Sequence, residues 1–131
     1  MKATTFVVSE GASVDKRSNM LSIFSIIREM KAPTLPMVIP RMTVVAVLER
    51  EENESEEPGI TLRGKQGKER LFDFPVKTQF GGKKLVTRLI VDIRSIRVTQ
   101  AEPLVLQLIW GGRQRATYQV LIQAEASVES S

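Results

Sequence analysis

The chain has 131 residues, 42% of them hydrophobic and 26% charged, with a formal net charge of +4; this is the size and composition of one globular domain with a core of its own. It has no cysteine and no histidine. That excludes disulfides, thiol nucleophiles, imidazole bases, a Ser-His-Asp arrangement and Cys/His zinc sites, and leaves only oxygen ligands for any metal.

Residues 4–8 (TTFVV) read as a short first strand, and the polar stretch 9–18, with Gly11 and Asp15-Lys16-Arg17, as a loop. Residues 19–49 form the densest aliphatic block of the chain, two apolar runs joined by a connector with Pro33, Pro36 and Pro40. In the first run Met20, Leu21, Ile23, Phe24, Ile26, Ile27 and Met30 recur near helical spacing. Their β-branched and aromatic composition favours a strand instead, and the residues alone leave both readings open. The second run, 41–49, is apolar on both faces, as in a strand covered on both sides or lying mid-sheet.

Residues 49–58 (EREENESEEP) are acidic and read as a solvated loop; a calcium site is a poor fit, because the segment has no Asp. Residues 59–63 form a short strand with Ile60 and Leu62 on one face, and residues 64–70 a basic turn that lacks the spacing of a phosphate-cradling loop. Pro75 marks 71–76 as an edge strand or a strand end. After a turn at 80–84, residues 85–93 alternate as a half-buried strand and 94–98 continue irregularly.

The last element, 103–123, is a hairpin turning at Gly111-Gly112. A simple two-residue loop would set Leu108 and Leu106 against Arg115 and Thr117. A slip of one residue pairs Leu108 with Ala116, Leu106 with Tyr118 and Leu104 with Val120, and burial selects that pairing. The loop expected from it is the three-residue Gly111-Gly112-Arg113.

Phe6-Val7-Val8, Asn19-Met20-Leu21-Ser22-Ile23, the aromatic-containing stretch 24–28, Leu35-Pro36 and the strand 40–47 follow one another in a pattern that resembles a family of small uncharacterised bacterial proteins, catalogued as a domain of unknown function. The resemblance covers most of the chain, including the final hairpin. It implies a strand at 19–28 and an all-β sandwich, and it implies no activity. The sequence departs from the pattern at Ser25, where a glycine is expected, and lacks the usual acidic residue two positions on.

The expected fold is an all-β antiparallel sandwich of seven to eight strands over residues 1–126, immunoglobulin-like first and C2-like second, with 127–131 a disordered polar tail. No run approaches the ~20 apolar residues of a membrane span. The start MKATTFVVSEG does not read as a signal peptide, so a cytoplasmic location is expected. No spacing points to a catalytic acid and base, a cofactor or a metal. Trp110, with Arg113 and Arg115 beside it, is either a cap on the core or an exposed anchor for a protein partner. Arg63, Lys65, Lys68, Arg70, Lys83 and Lys84 are candidates for a basic surface. The leading expectation is a non-enzymatic binding protein, its partner another protein or a second copy, with the acidic loop 51–57 meeting the basic turn 65–70 of a neighbour. The rival is a nucleic-acid-binding module using phosphate contacts.

Overall fold

The computed structural model describes residues 1–124; the tail expected at 127–131 lies outside them. Among the described residues the chain is all β, with strands β1 (Lys2–Val14), β2 (Leu21–Ile26), β3 (Glu29–Ala32), β4 (Met37–Glu49), β5 (Ile60–Gln66), β6 (Glu69–Val76), β7 (Val86–Val98), β8 (Leu104–Trp110) and β9 (Arg113–Ala124). They make a sandwich of two sheets, ordered β2-β1-β4-β7 and β3-β9-β8-β5-β6. The nine strands exceed the seven to eight expected, and the β3–β9 pairing is parallel, so the sandwich is mixed rather than purely antiparallel.

The core lies between the sheets. Met42, Val44, Ala46 and Leu48 of β4 face Ile60 and Leu62 of β5 and Leu104, Leu106 and Leu108 of β8 across it, all nearly or wholly buried. Phe80, expected in a turn, is fully buried with them.

The run at 19–30 shows why its spacing imitated a helix. It is a strand that changes sheets. Residues 21–26 pair with β1, the chain crosses at 27–28, and residues 29–32 pair with β9. Phe24 and Ile26 stay exposed on the first sheet, while Ile27 and Met30 turn onto the core. The two inward residues are three apart, Ile27 in the crossing and Met30 in β3. The crossing is bonded to both sheets: Ile27 N–H donates to the Val8 carbonyl (2.8 Å), Leu121 N–H to the Arg28 carbonyl (2.9 Å) and the Tyr118 hydroxyl to the Ile27 carbonyl (2.7 Å). Burial raises the Tyr118 pKa above its ordinary value.

The loop expected at 9–18 is a correction. β1 continues to Val14, and only residues 15–20 turn. Pairing with β2 carries the weak β-formers Gly11 and Ser13 into the ladder, because strand propensity yields to context. Within this hairpin Ser25 sits at φ 54°, the left-handed region that is uncommon for non-glycine residues and costly for a residue with a Cβ. This is the position where the resemblance has a glycine. Ser25→Gly should therefore stabilise the chain, by about 0.5–1 kcal/mol once the greater unfolded-state freedom of glycine is subtracted. An unchanged or lower urea midpoint would remove the argument.

The hairpin register is as expected, with Leu104↔Val120, Leu106↔Tyr118 and Leu108↔Ala116. The loop is not the three-residue one. Gly111 and Gly112, at φ 62° and 72°, form a two-residue turn that needs positive φ at both places. Trp110 pairs with Arg113 and Ile109 with Gln114, and a bulge beyond them shifts the ladder. The extra residue on β9 reconciles a tight turn with a buried leucine face.

At the β5–β6 pair, Gly64 lies opposite Phe72, and a Cβ on Gly64 would fall 2.2 Å from the Phe72 ring. Gly64→Ala should cost about 1–3 kcal/mol as the ring is displaced. A loss below about 0.5 kcal/mol in denaturant titration would show that Phe72 moves freely.

β4 is mid-sheet and buried on both faces, as its composition suggested. Thr43 and Val45 point away from the core, yet are 1% and 0% exposed. Arg88 of β7, on this same outer face, donates to the Asn19 carbonyl (2.7 Å) and side-chain oxygen (3.2 Å) in the β1–β2 turn. The two strands lie at opposite edges of the sheet, so the β1–β2 arm arches over the outside of β4.

Candidate functional site

The loops divide between two ends. At one end lie the acidic segment 50–58, the connector 77–85 and the Gly111-Gly112 turn. At the other lie the 33–36 connector, the β5–β6 turn and residues 99–103.

At the first end Trp110 is half-buried against the core. The Arg115 guanidinium sits 5.9 Å from the Trp110 ring centroid, and its Nε donates to the Trp110 carbonyl (3.1 Å). Trp110 is placed as a cap on the core, with Arg115 laid over it and Arg113 exposed beside it. Lys83 and Lys84 are exposed at this end too, beside the acidic segment.

Lys65, Lys68 and Arg70 stand at the other end. Arg63 and Arg70 both donate to Asp73 (2.9 and 3.2 Å), which holds part of their charge within the chain. The six basic candidates therefore form no single surface: Lys65, Lys68 and Arg70 are separated from Lys83 and Lys84 by the length of β6, eight residues or ~26 Å, with Arg63 midway along β5. The acidic loop and the basic turn are likewise at opposite ends. Contact between them would join copies head to tail, an arrangement that stays open unless the rotation closes a ring.

Three side chains missed by sequence reasoning organise these ends. Arg50, inside the acidic segment, is 7% exposed. It donates to the carbonyls of Lys84 (3.0 Å), Glu54 (3.1 Å) and Gly82 (3.1 Å) and lies 5.3 Å from the Phe80 ring centroid. Gln66, assigned to the basic turn, ends β5 fully buried, and its amide donates to the carbonyls of Gln100 and Glu102, both at 2.9 Å. Glu54 is the third. The α-amino group of Met1 bonds it and lowers its carboxyl pKa, with the Glu51 N–H adding to the effect.

The sides of the sandwich differ more than its ends. On one side β2 passes directly into β3, which closes the gap between the sheets. On the other, β6 and β7 are both edges. Pro75 sits in β6, as expected of an edge strand. β2, β3 and β6 are six, four and eight residues long, whereas β7 has thirteen and pairs only with β4 among the described residues. Long unpaired edges are templates for pairing. Two of the outward side chains of β7, Val86 and Ile90, are 49% and 40% exposed. Arg88 and Asp92 flank Ile90 on that face. Asp92 accepts from Thr43 (2.7 Å) and Arg41 (3.3 Å), and these groups, Thr43 first, hold its carboxyl below the usual carboxylate range. Between β6 and β7 opens a cleft of about 400 Å³ lined by Arg70, Arg94 and Arg97 together with Phe72 and Ile93.

Among the described residues no three acidic side chains converge as metal ligands, and no helix is long and apolar enough to cross a membrane. The chain matches a family of unknown function, DUF6941, over residues 4–123. It belongs to that family. A comparison with curated proteins finds no match. The DUF6941 match runs from within β1 to within β9, so it takes in the open β7 edge, the cleft and the Trp110 turn together.

Proposed function

We propose that this member of DUF6941 is a non-enzymatic binding protein of the bacterial cytoplasm that takes a protein partner along the open edge of β7. The observation that carries the reading is the contrast among edges: three are short or proline-bearing, and one is thirteen residues long with exposed Val86 and Ile90. Strand addition at such an edge draws affinity from main-chain hydrogen bonds and specificity from alternate side chains.

The strand order supports an immunoglobulin-like reading of the sandwich. In such a fold β4 and β7 stand as strands B and E of one sheet, β9, β8 and β5 as G, F and C of the other, and the constant-type sheet has a further strand, D, beside E. Here that place beside β7 is empty among the described residues. A partner strand would complete the sheet.

Trp110, Arg113 and Arg115 contribute secondarily, since Trp110 already packs inward. The polyanion reading draws on Arg70, Arg94 and Arg97 around the cleft, and strong salt-dependent retention on heparin would favour it. To test the edge, partners captured from the host by the natural chain are compared with those captured by Ile90→Lys and by Trp110→Ala with Arg113→Ala. Loss with Ile90→Lys alone is the expected result. Loss with the Trp110 pair alone would move the site to the hairpin end.

A further inference from the structure

Resting on this edge reading, we infer that the strand β7 accepts is β7 of a second copy, in an antiparallel register centred on Ile90. The argument is one of charge. Arg88, Ile90 and Asp92 share the outer face, being paired with Val47, Val45 and Thr43 of β4. In an antiparallel pair directly opposed residues lie on the same face, and like charges opposed destabilise it.

Few registers are available. Centring the two-fold on Arg88 or Asp92 sets a charge against its own copy. Centring on Val91 sets Arg88 against the partner's Arg94, and centring on Leu89 leaves Asp92 against the partner's Val86. Centring on Ile90 sets Arg88 against the partner's Asp92, twice by symmetry, and covers the exposed Ile90 with its own copy. On the core face the same register sets Leu89 against the partner's Val91, an apolar pair.

The pairing is bounded at one side by Ser95, whose φ of 57° turns the strand, and beyond it the register would bring Arg97 toward the partner's Lys83. About nine residues, 86–94, therefore engage. The axis is perpendicular to the sheet, so the contact is isologous and closes at two copies. An edge of this length buries less than the ~1,200–2,000 Å² typical of tight complexes, so association belongs in the micromolar range and weakens with salt.

The chain's lack of cysteine makes the test clean. In this register the two copies of Ile90 face each other, with Cβ atoms ~5 Å apart, while the two copies of Val86 stand roughly 25 Å apart. With diamide as oxidant and protein at about 100 µM, above the dissociation constant of a micromolar association, Ile90→Cys should cross-link to twice the 14.7 kDa chain mass and Val86→Cys should not. Light scattering at low salt should show Arg88→Asp reducing the dimer several-fold, and Arg88→Asp with Asp92→Arg restoring it. That restoration cannot come from the lost Arg88–Asn19 bonds. Equal cross-linking at both cysteines, or a natural chain that is monomeric at this concentration, overturns the self-pairing. If the monomeric chain still loses its captured partners on Ile90→Lys, self-pairing alone has failed. If captured partners survive that change, the edge reading has failed with it.

Discussion

Arg50→Met should lower stability by about 3–5 kcal/mol, read as a shift in the urea midpoint at unchanged slope. Methionine keeps the apolar stem against Phe80 but supplies no donors, so the carbonyls of Lys84, Glu54 and Gly82 lose their partner together. Each hydrogen bond to a charged group is worth about 1.5–3 kcal/mol when its partner is left buried and unpaired; entry of water at this loop end reduces the sum. Arg50→Lys should recover less than half, because one ammonium cannot reproduce a planar fork directed at three oxygens. A loss under about 1 kcal/mol would mean that the two loops hold their places without this residue.

The second large effect is expected at Leu106→Ala, at about 2–5 kcal/mol, the range for deleting a buried leucine and leaving part of the cavity behind. Leu106 is fully buried at the centre of β8, opposite Tyr118 on one side and Gly64 on the other. The Phe72 ring lies over Gly64 beside it, so where the loss falls within the range reports how far that ring moves into the space left by Leu106. Chemical denaturation measures it, and a value near that of an exposed leucine would displace β8 from the core.

The body of the sandwich was legible because alternation fixes faces. The leucines of β8, the pair Ile60 and Leu62, and Pro75 on its edge all behave as their patterns require. The hairpin register was legible for the same reason, while its loop was not. Burial specifies which leucine meets which residue, but leaves open whether one extra residue sits in the turn or in a bulge. The missed features have another cause. Arg50 lies in a run of glutamates and Gln66 in a run of lysines and glycines, where composition signals solvent. Apart from the nearby Glu54 carbonyl, their roles are set by backbone carbonyls of segments 30 or more residues away, which no local pattern encodes. Ser25 is the partial exception. The missing glycine marked the position, and the positive φ supplies the reason. For the proposed binding edge, the sequence presents β7 as one half-buried strand among several; only the sheet order reveals that no strand stands beside it among the described residues.

The crossing at 27–28 also has a mechanical consequence. It ties the two layers together along one margin by covalent chain and by bonds from Ile27 and Arg28 to each layer, whereas among the described residues the opposite margin is joined near its corners, by the connector 77–85 at one and by the bonds of Thr99 to Gln66 and Glu69 at the other. The layers thus resemble two covers bound along a spine. Any thermal gaping must pivot there and widen toward the fore-edge, where β6 and β7 face each other and where hydrogen exchange should be fastest among the long strands.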